Sequence, residues 1–375
     1  MKGPVPTFSY PMSVYWNITS ICNLRCDHCL SRSGKKQPGE LTHAQAMQLV
    51  DELVENRVFF LYIAGGEPLL RKDLFQVIER ARAGGVRVYM ATNGTYMTPE
   101  KAARIRDLEL EDVLVSLDGV DARTHDRFRR VPGAYRDALR AMDTLLDAGV
   151  RMSVGTVVCR QTISQLDGMF DLLKDKGVPV WRLTGMCPVG RGHEIYYQTG
   201  LGVDEIRHLA GFVEAHTGDP AVRVHLDDPL PMKIWALQGK ASVQPAKCGA
   251  GRALCCVQYD GSVTPCVLFD HPVGNIKGSS LGEVWRTAPF FSDMRAVDAD
   301  TLTGKCTSCS KAVDCNGACR AHAWFEYGDV KAPDPVCLRE DIPEDYVAPP
   351  SRRRMLPVVS VAPADETAHG CGGVC

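Results

Sequence analysis

Apolar and β-branched residues come in short runs through the first half of the chain, and each run is followed by a stretch whose apolar positions return every three or four residues. The runs at residues 58–64, 86–91, 113–117, 152–158 and 178–183 read as buried parallel strands, with 13–18 as an earlier one. Between them, residues 43–56 (Met47, Val50, Leu53, Val54), 74–83, 99–108, 135–148 and 165–176 have helical spacing. Several close on glycine turns such as Ala83-Gly84-Gly85 and Ala148-Gly149. Alternating strands and helices build a parallel sheet, either doubly wound or rolled into a barrel, and the pattern leaves both open.

Beyond Pro229 the regularity breaks. Residues 248–337 carry nine cysteines, two short strand-like pieces at 254–259 and 262–266, and one expected helix at 281–296. From Pro343 the chain is rich in proline (Pro349, Pro350, Pro357, Pro363), bears Arg352, Arg353 and Arg354 in a row, and ends in a C-x3-C, Cys371 and Cys375. The expected organisation is an α/β unit over 1–235, a cysteine-rich unit over 236–342 and a flexible tail over 343–375.

Composition narrows the function classes. A chain of 375 residues with 45% apolar and 23% charged residues has material for a core, so global disorder is excluded. Lys and Arg number 43 against 45 Asp and Glu, so neither nucleic acid nor an anionic membrane has a general electrostatic attraction to it. Residues 1–10 lack a secretory pattern, and no stretch approaches the roughly 20 apolar residues of a membrane span, which points to the cytoplasm. In that compartment 16 cysteines are expected as reduced thiols serving metal or catalysis.

Cys22, Cys26 and Cys29 form a CxxxCxxC on the loop after the first strand. Three thiolates suit one [4Fe–4S] cube with its fourth iron open, while structural zinc is the alternative and normally takes a fourth protein ligand. Gly65-Gly66-Glu67-Pro68 follows the second strand, Asn93 the third, and Ser116-Leu-Asp118 ends the fourth. In that order these motifs resemble the radical S-adenosylmethionine (SAM) superfamily. The resemblance implies a partial (β/α)6 TIM-like barrel, an open-iron cluster on Cys22, Cys26 and Cys29, and SAM binding by Gly65, Gly66, Glu67, Pro68, Asn93, Ser116 and Asp118. Glu67 would meet the SAM ammonium and Asp118 its ribose.

Cys248, Cys255, Gly261-Ser-Val-Thr-Pro-Cys266, Cys306, Cys309, Cys315, Cys319 and Cys337 follow the order of an iron–sulfur SPASM domain. That resemblance implies one auxiliary [4Fe–4S] cluster on Cys248, Cys255, Cys266 and Cys319, and another on Cys306, Cys309, Cys315 and Cys337, three clusters in all. Cys256, beside Cys255, leaves that ligand open. Of the remaining thiols, Cys159 reads as a small buried hydrophobe and Cys187 as a substrate-side candidate. His28 reads as packing, and Arg191 either as a carboxylate partner or as a loop arginine.

Cys-Asn-Leu-x-Cys-x-His-Cys-Leu-Ser-x-Ser-Gly at 22–34 and Cys-Gly-Ala-Gly-Arg at 248–252 are most similar to the mycofactocin maturase type of peptide-modifying radical SAM/SPASM proteins. The similarity implies reductive cleavage of SAM to a 5′-deoxyadenosyl radical and modification of a ribosomally made precursor peptide. The alternative is tetrapyrrole side-chain modification, as in haem or haem d1 synthesis. Implied partners are the precursor peptide, an electron donor such as flavodoxin or ferredoxin, and a separate peptide-recognition protein, since few residues precede Cys22.

Overall fold

Alternating burial gives most strands of the first half two unlike faces. The computed structural model describes residues 7–227, 229–238 and 247–337; the expected tail at 343–375, with Cys371 and Cys375, lies outside the described residues. Strands and helices alternate as β1 (Ser13–Asn17), α1 (His43–Glu55), β2 (Phe60–Ala64), α2 (Leu74–Ala83), β3 (Arg87–Thr92), α3 (Pro99–Asp107) and β4 (Asp112–Ser116). They continue as α4 (Ala122–Arg129), α5 (Ala134–Asp147), β5 (Met152–Val158), α6 (Leu166–Asp175), β6 (Val180–Gly185), α7 (Gly192–Thr199), α8 (Val203–His216), β7 (Arg223–Leu226) and α9 (Leu230–Gln238). The cysteine-rich part adds β8 (Leu254–Val257), β9 (Ser262–Thr264), β10 (Gly274–Asn275), α10 (Leu281–Thr287), α11 (Pro289–Ala296), α12 (Ala312–Cys315) and α13 (Arg320–Tyr327).

Strands β1 to β7 lie side by side in chain order, each parallel to the next. A doubly wound sheet would reverse that order partway. The partial barrel is therefore the architecture, and it remains open because β1 pairs on its other side with β8 rather than with β7. β9 and β10 extend the edge antiparallel, so the cysteine-rich part shares the sheet with the barrel. Where one helix is expected over 281–296 there are two, because Pro289 lacks the N–H that α10 would need to continue and instead starts α11.

One face of the sheet is apolar and covered by helices: Val14, Trp16, Leu61, Ile63, Val88, Val113, Val115, Trp181 and Leu183 pack with Leu49, Leu53, Val77, Ala141 and Leu173 in the main core. The other face is aromatic and polar. Tyr15, Tyr62 and Tyr89 stack across β1, β2 and β3 with centroids 4.6 and 4.7 Å apart. Further round, Arg182 on β6 binds Asp227 at 2.7 Å. Among the described residues, no helix is long and apolar enough to cross a membrane.

Candidate active site

The chain leaves β1 into a loop whose ends are drawn together by a bridge between Ile21 and Gly34, with Cys22 N donating to Gly34 O at 2.8 Å. Cys22, Cys26 and Cys29 all lie on this loop and pack with Leu24 and Ala134. Each sulfur has a neighbouring donor: Leu24 N (3.4 Å) and Asn93 Nδ2 (3.8 Å) reach Cys22, an Arg129 guanidinium nitrogen reaches Cys26 (3.6 Å), and the Ser31 hydroxyl lies 3.5 Å from Cys29. Burial pushes the Cys22 thiol up to about 11 and raises Cys26 despite the adjacent guanidinium. Left to themselves the Cys22 and Cys26 thiols would stay protonated; a metal that deprotonates them, with hydrogen-bond donors waiting, is the chemistry the loop fits.

The turn after β2 explains its own glycines. Gly66 N donates to Thr19 O (2.7 Å) and Glu67 N to Ile21 O (2.8 Å), so the turn lies directly on the backbone that leads into the cysteine loop. A Cβ on Gly66 would sit 1.9 Å from the Ile21 carbonyl oxygen, and one on Gly65, where φ is +123°, 2.7 Å from that of Thr19. Pro68 then begins a short 3-10 turn capped by Glu67.

Glu67 is wholly buried, and its carboxylate accepts from Thr92 Oγ1 (2.7 Å), Asn93 N (2.8 Å) and Leu69 N (3.1 Å). Burial raises its pKa even against those donors. Asn93 in turn donates to Asn23 Oδ1 at 2.9 Å, tying the end of β3 to the cysteine loop. Ser116 ends β4 opposite Gly155 of β5, half-buried.

Asp118 is also wholly buried. It accepts from Arg129 Nε at 2.6 Å and Val157 N at 2.9 Å, and lies 4.0 Å from His28 Nε2. Burial alone would raise its carboxyl; the Arg129 guanidinium chiefly holds it below the ordinary value nevertheless. His28 stacks on Phe128 (4.3 Å) and burial pushes it down to about 3, so it is a neutral packing residue. His125, lowered to about 4 chiefly by burial, accepts the Asp118 N–H on Nδ1.

Two arginines complete the site, and the sequence motifs mark neither as a partner of the cysteines. Arg129 links Cys26 to Asp118 from a short helix capped by Asp121, which accepts from Thr124 N at 2.7 Å. Arg191, from the loop after β6, donates to Cys26 O (2.8 Å) and Ser33 O (2.9 Å) and so clamps the cysteine loop. Cys159 is packed with Phe128 and Met186 in a small core, and Cys187 is buried with its thiol on Gly185 O at 3.3 Å.

In the cysteine-rich part, the Cys306 thiol is raised first by burial and, against Arg320, by Cys337 and Cys309, and that of Cys315 by burial and, against Arg320, by Cys337, Asp334 and Cys306, so these four thiols lie within electrostatic reach of one another. Cys266 is raised by burial and then by Cys248, Cys319 and Cys256, and Leu268 N donates to its sulfur at 3.4 Å. Cys255 is not among these neighbours. It is wholly buried in the main core, on the side of Tyr10 and Glu52.

Residues 16–194 match the radical SAM superfamily, and residues 248–310 match the SPASM iron–sulfur cluster-binding domain. The chain is 34% identical to mycofactocin maturase MftC of Mycobacterium ulcerans, covering 88% of each chain. It is 31% identical to the AdoMet-dependent heme synthase of Methanosarcina barkeri, over 88% of this chain and 96% of that one. Its fold is similar to that of Streptococcus suis SuiB bound to the precursor peptide SuiA, with a TM-score of 0.73 and 17% identity over 89% of this chain and 77% of that one. It is also similar to anSMEcpe with bound AdoMet and a peptide, with a TM-score of 0.66 and 20% identity over 87% and 94% of the two chains.

Proposed function

Since this chain belongs to the radical SAM superfamily, binds SAM and iron–sulfur clusters and carries a SPASM domain, we propose that it matures a ribosomally made precursor peptide. The observation that carries the reading is the 34% identity to a mycofactocin maturase along 88% of both chains. An aromatic and polar inner face, with the Tyr15–Tyr62–Tyr89 stack beside the Arg182–Asp227 pair, supports it, since such a face suits peptide side chains and backbone.

When bound, a cluster with an open iron supplies the electron that splits SAM, and the adenosyl fragment takes a hydrogen atom from the substrate. Cys22, Cys26 and Cys29 would hold that cluster, and Leu24 N, Asn93, Arg129 and Ser31 lie within hydrogen-bonding reach of those cysteine sulfurs. Gly65, Gly66, Pro68, Asn93 and Ser116 form the rim for SAM. Glu67 would meet its ammonium and Asp118 its ribose, the oxygens of both being fixed in place by the chain's own donors.

Two auxiliary clusters bring the total to three. One takes Cys306, Cys309, Cys315 and Cys337; the other takes Cys248, Cys266, Cys319 and a sulfur from β8. The barrel over 1–235 and the cluster unit over 236–342 divide the work, joined by the shared sheet. An electron carrier of the flavodoxin or ferredoxin type reduces the protein in the cytoplasm, and a separate recognition protein presents the peptide.

The second reading, tetrapyrrole modification, rests on the 31% identity to the heme synthase. Incubating the reconstituted enzyme with SAM, a reductant and a precursor peptide encoded beside its gene, with and without a small neighbouring gene product, tests the choice by mass spectrometry. A changed peptide mass supports maturation. An unaltered peptide together with a decarboxylated or otherwise altered porphyrin replaces it with the second reading.

A further inference from the structure

Strand β8 offers two adjacent thiols, Cys255 and Cys256, to the cluster that Cys248, Cys266 and Cys319 begin. We infer that Cys256, and not Cys255, is the fourth protein ligand of that auxiliary cluster. The inference rests on the auxiliary cluster proposed above.

Successive residues of a strand point to opposite faces of the sheet. Cys255 pairs in register with Val14 and Val257 with Trp16, and all four residues are buried in the main core. Cys256 pairs with Tyr15 on one side and Thr264 on the other, and so shares the inner face with the tyrosine stack. Leu254, one pleat earlier on the same face as Cys256, packs with Cys248, Cys266 and Cys319 against the smaller core of Phe269, Met294 and Leu302. A ligand at Cys255 would have to pass through the sheet to meet them.

The Cys256 sulfur has a side-chain N–H donor beside it. Gln258 Nε2 lies 3.5 Å from its Sγ, and Gln258 Oε1 accepts from Asn17 Nδ2 at 2.8 Å. Thr264, directly opposite, donates its hydroxyl to Cys266 O at 3.0 Å. The N–H···S contact is of the kind that tunes a cluster's potential, and it connects this centre through Gln258 to Asn17, the last residue of β1 before the radical cluster loop.

Iron and acid-labile sulfide per full-length reconstituted chain, together with the low-temperature electron paramagnetic resonance spectrum of the reduced protein, test the assignment in Cys255→Ala, Cys256→Ala and Cys266→Ala. Cys256→Ala is expected to match Cys266→Ala, each losing about four iron atoms, while Cys255→Ala keeps the wild-type content. Loss in Cys255→Ala with full retention in Cys256→Ala overturns the inference, as does full retention in both. Full iron in Cys266→Ala instead refutes the auxiliary cluster itself, so the two failures are distinguishable. Should Cys256→Ala misfold, Cys256→Ser serves: an altered auxiliary signal with the radical-cluster signal intact supports the assignment, and an unaltered spectrum contradicts it.

Discussion

Arg129 donates its Nε–H to Asp118 Oδ2 across 2.6 Å, and both side chains are almost wholly shielded from water. A second guanidinium nitrogen points at Cys26 Sγ, so one residue of α4 joins the exit of β4 to the cysteine loop. Arg129→Ala strands a buried carboxylate, which costs about 3–5 kcal/mol by the usual penalty for halving a buried pair. Chemical denaturation of the wild type and the variant measures it. Arg129→Ala should also impair SAM cleavage, because Cys26 loses its donor.

The same pair sets a pH dependence. Burial opposes ionisation of Asp118, but the Arg129 guanidinium outweighs it and keeps the folded-state pKa below the unfolded value. Its contribution is therefore complete above the unfolded carboxyl value of about 3.9 and is lost as pH falls through the lowered folded value. Comparing acid denaturation of the wild type with Asp118→Asn should show a shallower loss of stability below about pH 4 in the variant.

Gly66→Ala places a methyl 1.9 Å from a backbone carbonyl oxygen that no side-chain rotation can move away. We expect destabilisation of more than about 2 kcal/mol, together with loss of iron from the first cluster. Gly211, inside α8, is the contrasting case, since a Cβ there would meet nothing within 4 Å. Gly211→Ala should be neutral or stabilise by up to about 1 kcal/mol, read as a shift in the denaturation midpoint.

Glu67→Ala removes an acceptor from Thr92, Asn93 and Leu69 at once. Each buried donor left unpaired costs about 1–3 kcal/mol. The variant should lose stability as well as SAM affinity, by isothermal titration, while Cys22, Cys26 and Cys29 keep their iron.

Much of this arrangement is legible from sequence because it is local. Strand β5 and helix α2 occupy the residues that their periodicity indicates, and the other strands and helices expected in the first half differ by a residue or two at their ends. What escapes is what distance creates. Arg129 and Arg191 meet Cys26 from 103 and 165 positions away, and nothing in their own neighbourhoods marks them as partners of a sulfur loop. Helix α4 is polar along most of its length, with only His125, Phe128 and Arg129 buried, so its apolar signal is faint. Strand β7 alternates exposed and half-buried residues at the sheet edge, which leaves no hydrophobic run to read. The two faces of β8 become distinguishable only once its neighbours β1 and β9 are known.

Iron stoichiometry separates the three proposed centres. Full reconstitution should reach about 12 iron atoms per chain, and replacing Cys306 and Cys309 together should remove about four. A wild-type plateau near four would refute both auxiliary centres.

Everything proposed for this chain depends on the three-thiol loop after β1 holding the cluster that splits SAM. The decisive measurement is 5′-deoxyadenosine formed from SAM and a reductant by the reconstituted wild type and by Cys22→Ala, Cys26→Ala and Cys29→Ala. We expect sustained formation by the wild type and none above background by any of the three variants. Wild-type rates in any one of them would contradict the assignment.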